Sequence, residues 1–407
     1  MVFVLSAAII GTAWLLRRPM KMIGLPIVIG EMLAGFLLGP TVFGKLAPQT
    51  FHTFFSSDNI HQISSLATLI VTTYCFVIGL EFDPRHLQGR RSALTLTTLA
   101  SFALPAIFGI LIAGWSAGVL GLSVANPFKV SVALCFSVTA FPVLLRILEG
   151  NGMTRQPVGI FSIGVSSMLE LLIWACLPVI LTLATAGSPR GALITIIWVA
   201  GFLLVWLMLV RPGLQWLWAR LAWNGSASLL ALATVAIVSA YVTQQLGIHT
   251  IIEAFVGGMV VPREVSFRLA KKIKPACVFL LPIFFAATGL KTILNLSGGR
   301  EILILCCLGL LAYGVKLLAT MIPARITGGL SWNEAAMVGH LMCARGAIGF
   351  AILEICSSSR LLEPKAYSVL AVVVLMNTVL SAWSVVLQGK WAGNYEVRHG
   401  LAFAGDR

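Results

Sequence analysis

Residues 31–40 read Glu31-Met-Leu-Ala-Gly35-Phe-Leu-Leu-Gly39-Pro40, and residues 253–262 read Glu253-Ala-Phe-Val-Gly257-Gly-Met-Val-Val-Pro262. Glu, Gly and Pro coincide at a constant offset of 222 residues. The segments that follow close on Gly79-Leu80-Glu81 and Gly289-Leu290-Lys291, at an offset of 210. Matches in the same order at similar offsets mark an internal repeat. Which way the two copies face decides the fold.

The surroundings are apolar. The 407 residues are 58% hydrophobic and 10% charged, with mean hydropathy +0.97, whereas soluble domains run near 25% charged. The chain is therefore an all-α polytopic membrane protein embedded in a lipid bilayer. Apolar runs between breaks give about thirteen helices. They lie near 2–16, 23–43, 61–80, 93–114, 128–148, 158–186, 191–211, 226–245, 247–262, 275–290, 301–323, 334–356 and 365–388. The runs at 2–16, 247–262 and 275–290 are short for a bilayer. Val2–Leu16 has no basic residue before it and Arg17, Arg18 and Lys21 after it, which is not a signal-peptide pattern.

Thirteen spans put the termini on opposite sides. The loops on the C-terminal side then hold 19 Lys and Arg, and the opposite loops hold 7. The positive-inside rule makes the C-terminus cytoplasmic and the N-terminus external. This predicts a multi-pass protein of the cell membrane, with one transmembrane domain over 1–390 and a short cytoplasmic tail over 391–407. The first repeat copy occupies the second span and its mate the ninth. Seven spans apart, they face opposite ways. Inverted repeats are the architecture of secondary transporters, with a site near the midplane where discontinuous helices cross.

Two stretches read as such interruptions. The fifth span carries Ser137-Val-Thr139-Ala-Phe141-Pro142, and its repeat mate, the twelfth, carries Arg345-Gly346-Ala-Ile-Gly349. Proline removes a helical donor and frees a carbonyl. Unwound backbone at membrane depth is tolerated where it lines a polar cavity.

Glu170 is the only charged residue between Arg155 and Arg190. It lies about 20 Å along the sixth span at 1.5 Å per residue, and an ionised acid there costs roughly 2.5–3.5 kcal/mol on insertion scales. Ser166 and Ser167, at i−4 and i−3, share its face. A carboxylate, hydroxyls that include Thr139, and freed carbonyls near Pro142 suit a hard monovalent cation. A desolvated carboxylate is neutralised by a proton or by a cation, so the two exclude each other at Glu170. If the site crosses the membrane only when neutralised, exchange follows. One acid predicts electroneutral one-for-one exchange. Lys316 and Arg345 are the two basic residues inside spans. They are read as supporting charges that compensate half-helix dipoles or pair with Glu170 or Glu354, with a fixed stabilising charge as the plainer alternative. Glu31 and Glu253 are read as a second ion or proton site or as a subunit contact, Gly35 and Gly39 forming a small-residue face beside Glu31. His249 is read as a packing histidine.

At these residues the sequence resembles a known family. Gly24-Leu-Pro26-Ile-Val-Ile-Gly30-Glu31 through Gly39-Pro40, Ser137 through Leu148, Gly247-Ile-His249, Leu281-Pro282-Ile-Phe-Phe285 with Gly289-Leu290, and Arg345-Gly346 resemble the Kef/CHX-type monovalent cation:proton antiporters of the sodium/proton exchanger superfamily. The resemblance runs along nearly the whole chain. It implies a thirteen-helix exchanger fold and a homodimer. In that fold a mobile core (about 93–186 and 301–388) carries the ion against a dimerisation part (about 1–80 and 226–290), with a linker helix at about 191–211. The function it implies is exchange of Na+ or K+ for protons by alternating access. The alternatives are a channel-like K+ efflux protein, or a family member that no longer transports and acts as a sensor or subunit. The family's paired Asn-Asp or Asp-Asp appears here as Leu169-Glu170. A Glu common in relatives appears as Gly349, and Glu354 stands where those relatives often have Asn.

Other classes fit poorly. The +14 charge is scattered over short loops rather than gathered in a nucleic-acid patch. Enzyme motifs are absent, so no catalytic residue, cofactor or resident metal is expected beyond the transported cation. The eight cysteines all fall in apolar segments and read as small buried hydrophobes.

Overall fold

The computed structural model describes residues 1–22, 27–81, 91–120, 126–186, 263–291 and 299–398, with scattered positions between 190 and 261. Among the described residues every regular element is helical. In chain order these are α1 (Val2–Met22), α2 (Ile27–Leu38), α3 (Phe43–Leu46), α4 (Pro48–Phe54), α5 (Ser57–Glu81), α6 (Arg91–Leu120) and α7 (Asn126–Ser137). They continue as α8 (Phe141–Gly150), α9 (Pro157–Ala186), α10 (Arg263–Lys291), α11 (Gly299–Gly328), α12 (Trp332–Met342), α13 (Gly346–Ser358) and α14 (Pro364–Arg398). Within this set, eight segments are long and apolar enough to cross a membrane.

Hydropathy marks where apolar character stops, and several helices run past that point. α1 extends beyond the apolar run through Arg17, Arg18 and Pro19 to Met22. α10 begins at Arg263 rather than near 275 and takes in Arg268, Lys271, Lys272 and Lys274. α14 continues to Arg398, so residues 391–398 of the expected tail are helical. Long basic side chains keep their heads in water while their stems cover apolar surface, so a helix can leave the bilayer without ending. The expected helices at 191–211, 226–245 and 247–262 fall almost wholly outside the described residues, Glu253 and His249 among them.

Two sets of helices pack among themselves. α1, α2, α5 and α10 form one, and α6, α7, α9, α11, α12 and α14 form the other. α8 and α13 lie where the sets meet, α8 against α2 and α13 against α10. α2 and α10 approach backbone to backbone at Gly35, where a Cβ would overlap the Ala286 carbonyl. The small-residue face beside Glu31 is thus used within the chain. On the outside, Leu96, Leu99, Ile107 and Leu111 of α6 and Leu303, Leu310 and Leu318 of α11 are exposed, as expected of surfaces that face acyl chains. Cys306 and Cys307 lie on that outer side of α11 and are exposed rather than buried, and Cys176 is half-buried. An apolar segment in a membrane has an outer face, and cysteine is tolerated on it.

Candidate functional site

The expected interruptions are breaks. Val138, Thr139 and Ala140 separate α7 from α8, and Cys343, Ala344 and Arg345 separate α12 from α13. Pro142 sits in the first turn of α8, where its missing N–H is not needed. Gly346 starts α13 at φ +43°, and a Cβ there would overlap Val143 of α8. Positive φ and the close approach both require glycine. The two breaks lie against each other. The Ala140 amide donates to the Ala344 carbonyl at 2.7 Å, and the Thr139 hydroxyl donates to the Met342 carbonyl at 2.5 Å.

Two broken helices leave four half-helix ends inside the protein, each with unpaired polar groups and a partial charge. The carbonyl end of α7 meets two cations. Lys316 of α11 donates to the Ser137 carbonyl and, at 2.8 Å, to the Ser101 carbonyl of α6. Arg345 Nη2 donates to the Phe136 carbonyl at 3.1 Å and to the Ala312 carbonyl at 3.0 Å. Both side chains are fully buried. Among the described residues neither is ion-paired with a carboxylate. They answer the α7 dipole rather than Glu170. Glu354 belongs to α13, and its side chain lies outside the described set.

The amide end of α8 meets the acid. Glu170 is 4% exposed. Its carboxylate lies near the Phe141 backbone amide and the Trp174 indole. Neither carboxylate oxygen has a hydrogen-bond partner of good geometry. A helix N-terminus attracts an anion, while a buried carboxylate with unused lone pairs favours taking up a proton or a cation. Leu169 is fully buried in the core cluster. The hydroxyls of Ser166 and Ser167 donate to their own helix, at the Ile163 and Gly164 carbonyls. They share the acid's neighbourhood without bonding to it.

The second crossing is served by neutral groups that the sequence reading did not single out. Thr378 Oγ1 of α14 accepts from the Gly346 amide at 2.9 Å. Ser381 Oγ donates to the His340 carbonyl near the end of α12 at 2.6 Å. Asn377 donates to the Gly309 carbonyl at 3.0 Å, and its Oδ1 is buried without a partner. All three are fully buried in an apolar helix. Phe141 and Gly346 are each the first residue of their half-helix, 205 residues apart. Thr378 serves the amide end of α13 as Glu170 stands at the amide end of α8, and the pairing of the sixth span with the thirteenth was the signal available in the sequence.

Glu31 is fully buried on α2 and binds Arg146 of α8 at 2.9 Å, with Arg17 at 3.9 Å. Arg146 belongs to a membrane helix, not to the loop where the charge count places it.

The sodium/hydrogen exchanger transmembrane family model matches residues 4–387. The chain is similar to K(+)/H(+) antiporter 1 of Saccharomyces cerevisiae, 28% identical over 387 residues that cover 90% of this chain and 44% of that protein. It is similar to Na(+)/H(+) antiporter NhaS4 of Synechocystis, 27% identical over 390 residues that cover 93% of this chain and 94% of that one. The chain thus spans under half the length of the first relative and nearly all of the second. In fold it is similar to the sodium proton antiporter MjNhaP1 from Methanocaldococcus jannaschii, with TM-score 0.65 and 18% identity over 98% of this chain and 99% of that one. The chain belongs to the sodium/hydrogen exchanger family.

Proposed function

We propose that the chain is a secondary transporter that exchanges a monovalent cation, Na+ or K+, for protons by alternating access, with Glu170 as the group that holds either one. The observation that carries this reading is the buried Glu170 carboxylate beside the amide end of α8, with no hydrogen-bond partner of good geometry on either oxygen. The α8 dipole favours a negative charge there and burial opposes a bare one, so the neutral occupied states dominate. Proton and cation compete for the same oxygens. The carbonyls around the two breaks and the Thr139 hydroxyl would supply further oxygens of the type a hard cation uses.

On this reading the set containing α7, α9, α11, α12 and α14 is the moving core. The set α1, α2, α5 and α10 is the scaffold through which two copies of the chain associate. Lys316 and Arg345 hold the crossover together as the core moves. The membrane is the cell membrane, with the C-terminus cytoplasmic as the loop charges indicate.

The test is reconstitution into proteoliposomes with a pH-sensitive dye, scanning Na+, K+ and Li+. Saturable, cation-driven proton flux is expected for the wild type and none for Glu170→Gln. Flux intact in Glu170→Gln would overturn the assignment. The buried Leu169 at the first position of the family's polar pair supports one second reading, a member that senses without transporting, and absence of wild-type flux would favour it.

A further inference from the structure

α8 joins two places. Its first residue lies against Glu170, and its other end carries Arg146 and Glu149. That far end is held by charges from the other helix set. Arg146 binds Glu31 of α2 at 2.9 Å, both largely buried. Glu149 binds Lys274 of α10 at 2.9 Å and accepts from the Tyr74 hydroxyl of α5 at 3.1 Å. Lys274 is anchored within its own set by Glu81 of α5 at 2.7 Å. Three helices and one half-helix thus bring their polar and charged groups to one end of the molecule, the end that the loop charges make cytoplasmic.

Contacts of this kind are directional and cannot stretch. If α8 moves relative to α2, α5 and α10 by more than about an ångström, hydrogen bonds at 2.7–3.1 Å are lost. Leaving Glu31 or Arg146 buried without its partner is costly, so the set makes or breaks as a unit. We infer that the Arg146–Glu31 and Glu149–Lys274–Tyr74 contacts are a latch that closes the cytoplasmic path to Glu170 and opens once in each transport cycle. Arg146 and Glu149 are then positioning residues for the exchange. They fix where the α8 amide end stands without touching the ion. The inference rests on the alternating-access reading.

The chain carries its own probe. Cys75 is fully buried on α5 beside Tyr74, the residue whose hydroxyl reaches Glu149 of α8. Cys135 and Cys343 are equally buried but lie inside the α6–α14 set, on α7 and at the end of α12. A maleimide needs a hydrated thiolate, so Cys75 reacts only when the two sets part. The experiment compares N-ethylmaleimide labelling of these three cysteines by peptide mass spectrometry in proteoliposomes. It uses wild type, Glu149→Gln, Lys274→Gln and the conservative Lys274→Arg. Lys274 and Glu149 are partly exposed, which moderates the effect. The ratio of Cys75 labelling to Cys135 and Cys343 labelling is expected to rise about threefold in the two glutamine variants and to stay near wild type in Lys274→Arg. Tyr74→Phe, which removes only the hydroxyl, serves where Glu149→Gln fails to fold and is expected to give a smaller rise. An unchanged ratio overturns the latch, and so does a joint rise of all three cysteines. Labelling and flux are read separately: an unchanged labelling ratio in a chain that exchanges sinks the latch alone, whereas absence of wild-type flux in the liposome assay sinks the transport reading and the latch's place in a transport cycle with it.

Discussion

The two helix crossings share a geometry and differ in chemistry. At α7/α8 the half-helix ends meet ionisable side chains, Lys316 and Arg345 at the carbonyl end and Glu170 near the amide end. At α12/α13 the same kinds of end meet hydroxyls, Thr139 and Ser381 at the carbonyls and Thr378 at the amide. Both solutions satisfy the backbone. Among the described residues only the first contains a carboxylate, the group proposed to exchange a proton for a cation, so the two crossings share a scaffold and differ in the chemistry they can carry.

The sharpest way to break the contrast is to make the first crossing neutral. Glu170→Gln keeps the shape and an oxygen beside the Phe141 amide but cannot be ionised. Coupled exchange is expected to fall by at least about a hundredfold, the loss of about 2.7 kcal/mol or more at 1.4 kcal/mol per decade, with melting in detergent unchanged or higher. Retained exchange in the liposome assay would mean that the charge difference between the crossings is incidental.

Lys316→Met tests the cation end of the same crossing. It leaves the Ser101 and Ser137 carbonyls without their donor in a buried site, which costs about 2–3 kcal/mol. A large drop in detergent melting temperature together with lost flux is expected. A stable protein that transports poorly would instead assign Lys316 a part in the exchange itself.

Gly346→Ala attacks the contact between the crossings. Alanine at φ +43° against Val143 is expected to cost about 1–3 kcal/mol. Thermal stability and flux should fall together, and wild-type behaviour would show that the breaks separate easily. The smallest effect belongs to Thr378→Val, which removes the acceptor for the Gly346 amide at a cost of about 1 kcal/mol. Flux should fall a few-fold, and Thr378→Ser should restore it. A Thr378→Val loss as severe as that of Glu170→Gln would mean that the neutral crossing also handles the ion.

Much of the site was legible where a residue type conflicts with its surroundings. Glu170, Lys316 and Arg345 stand out because an apolar span tolerates few charges, and Pro142 and Gly346 because they interrupt a helix. Thr378, Asn377 and Ser381 were harder to see. Hydroxyl and amide side chains inside membrane helices usually bond their own backbone, as Ser166 and Ser167 do here. Polarity alone therefore does not separate a residue that serves a neighbouring helix end from one that serves its own. Glu31 was legible as a buried acid, but its partner Arg146 is 115 residues away and reads from the sequence as a loop charge. Hydropathy also misplaced the ends of α1, α10 and α14, because a run of basic residues ends apolar character without ending the helix.

The hydroxyl that serves the amide end of the second crossing has a thermodynamic consequence for the proposed exchange. If Glu170 is the one exchangeable carboxylate, as proposed, the exchange trades one positive charge for another and the membrane voltage does no net work on it. A tenfold proton gradient, worth about 1.4 kcal/mol, can then sustain at most about a tenfold opposing cation gradient. With Thr378 rather than a second carboxylate at the other crossing, the proposed exchanger would be suited to balancing two gradients against each other, and a steeper cation gradient would require a second carboxylate.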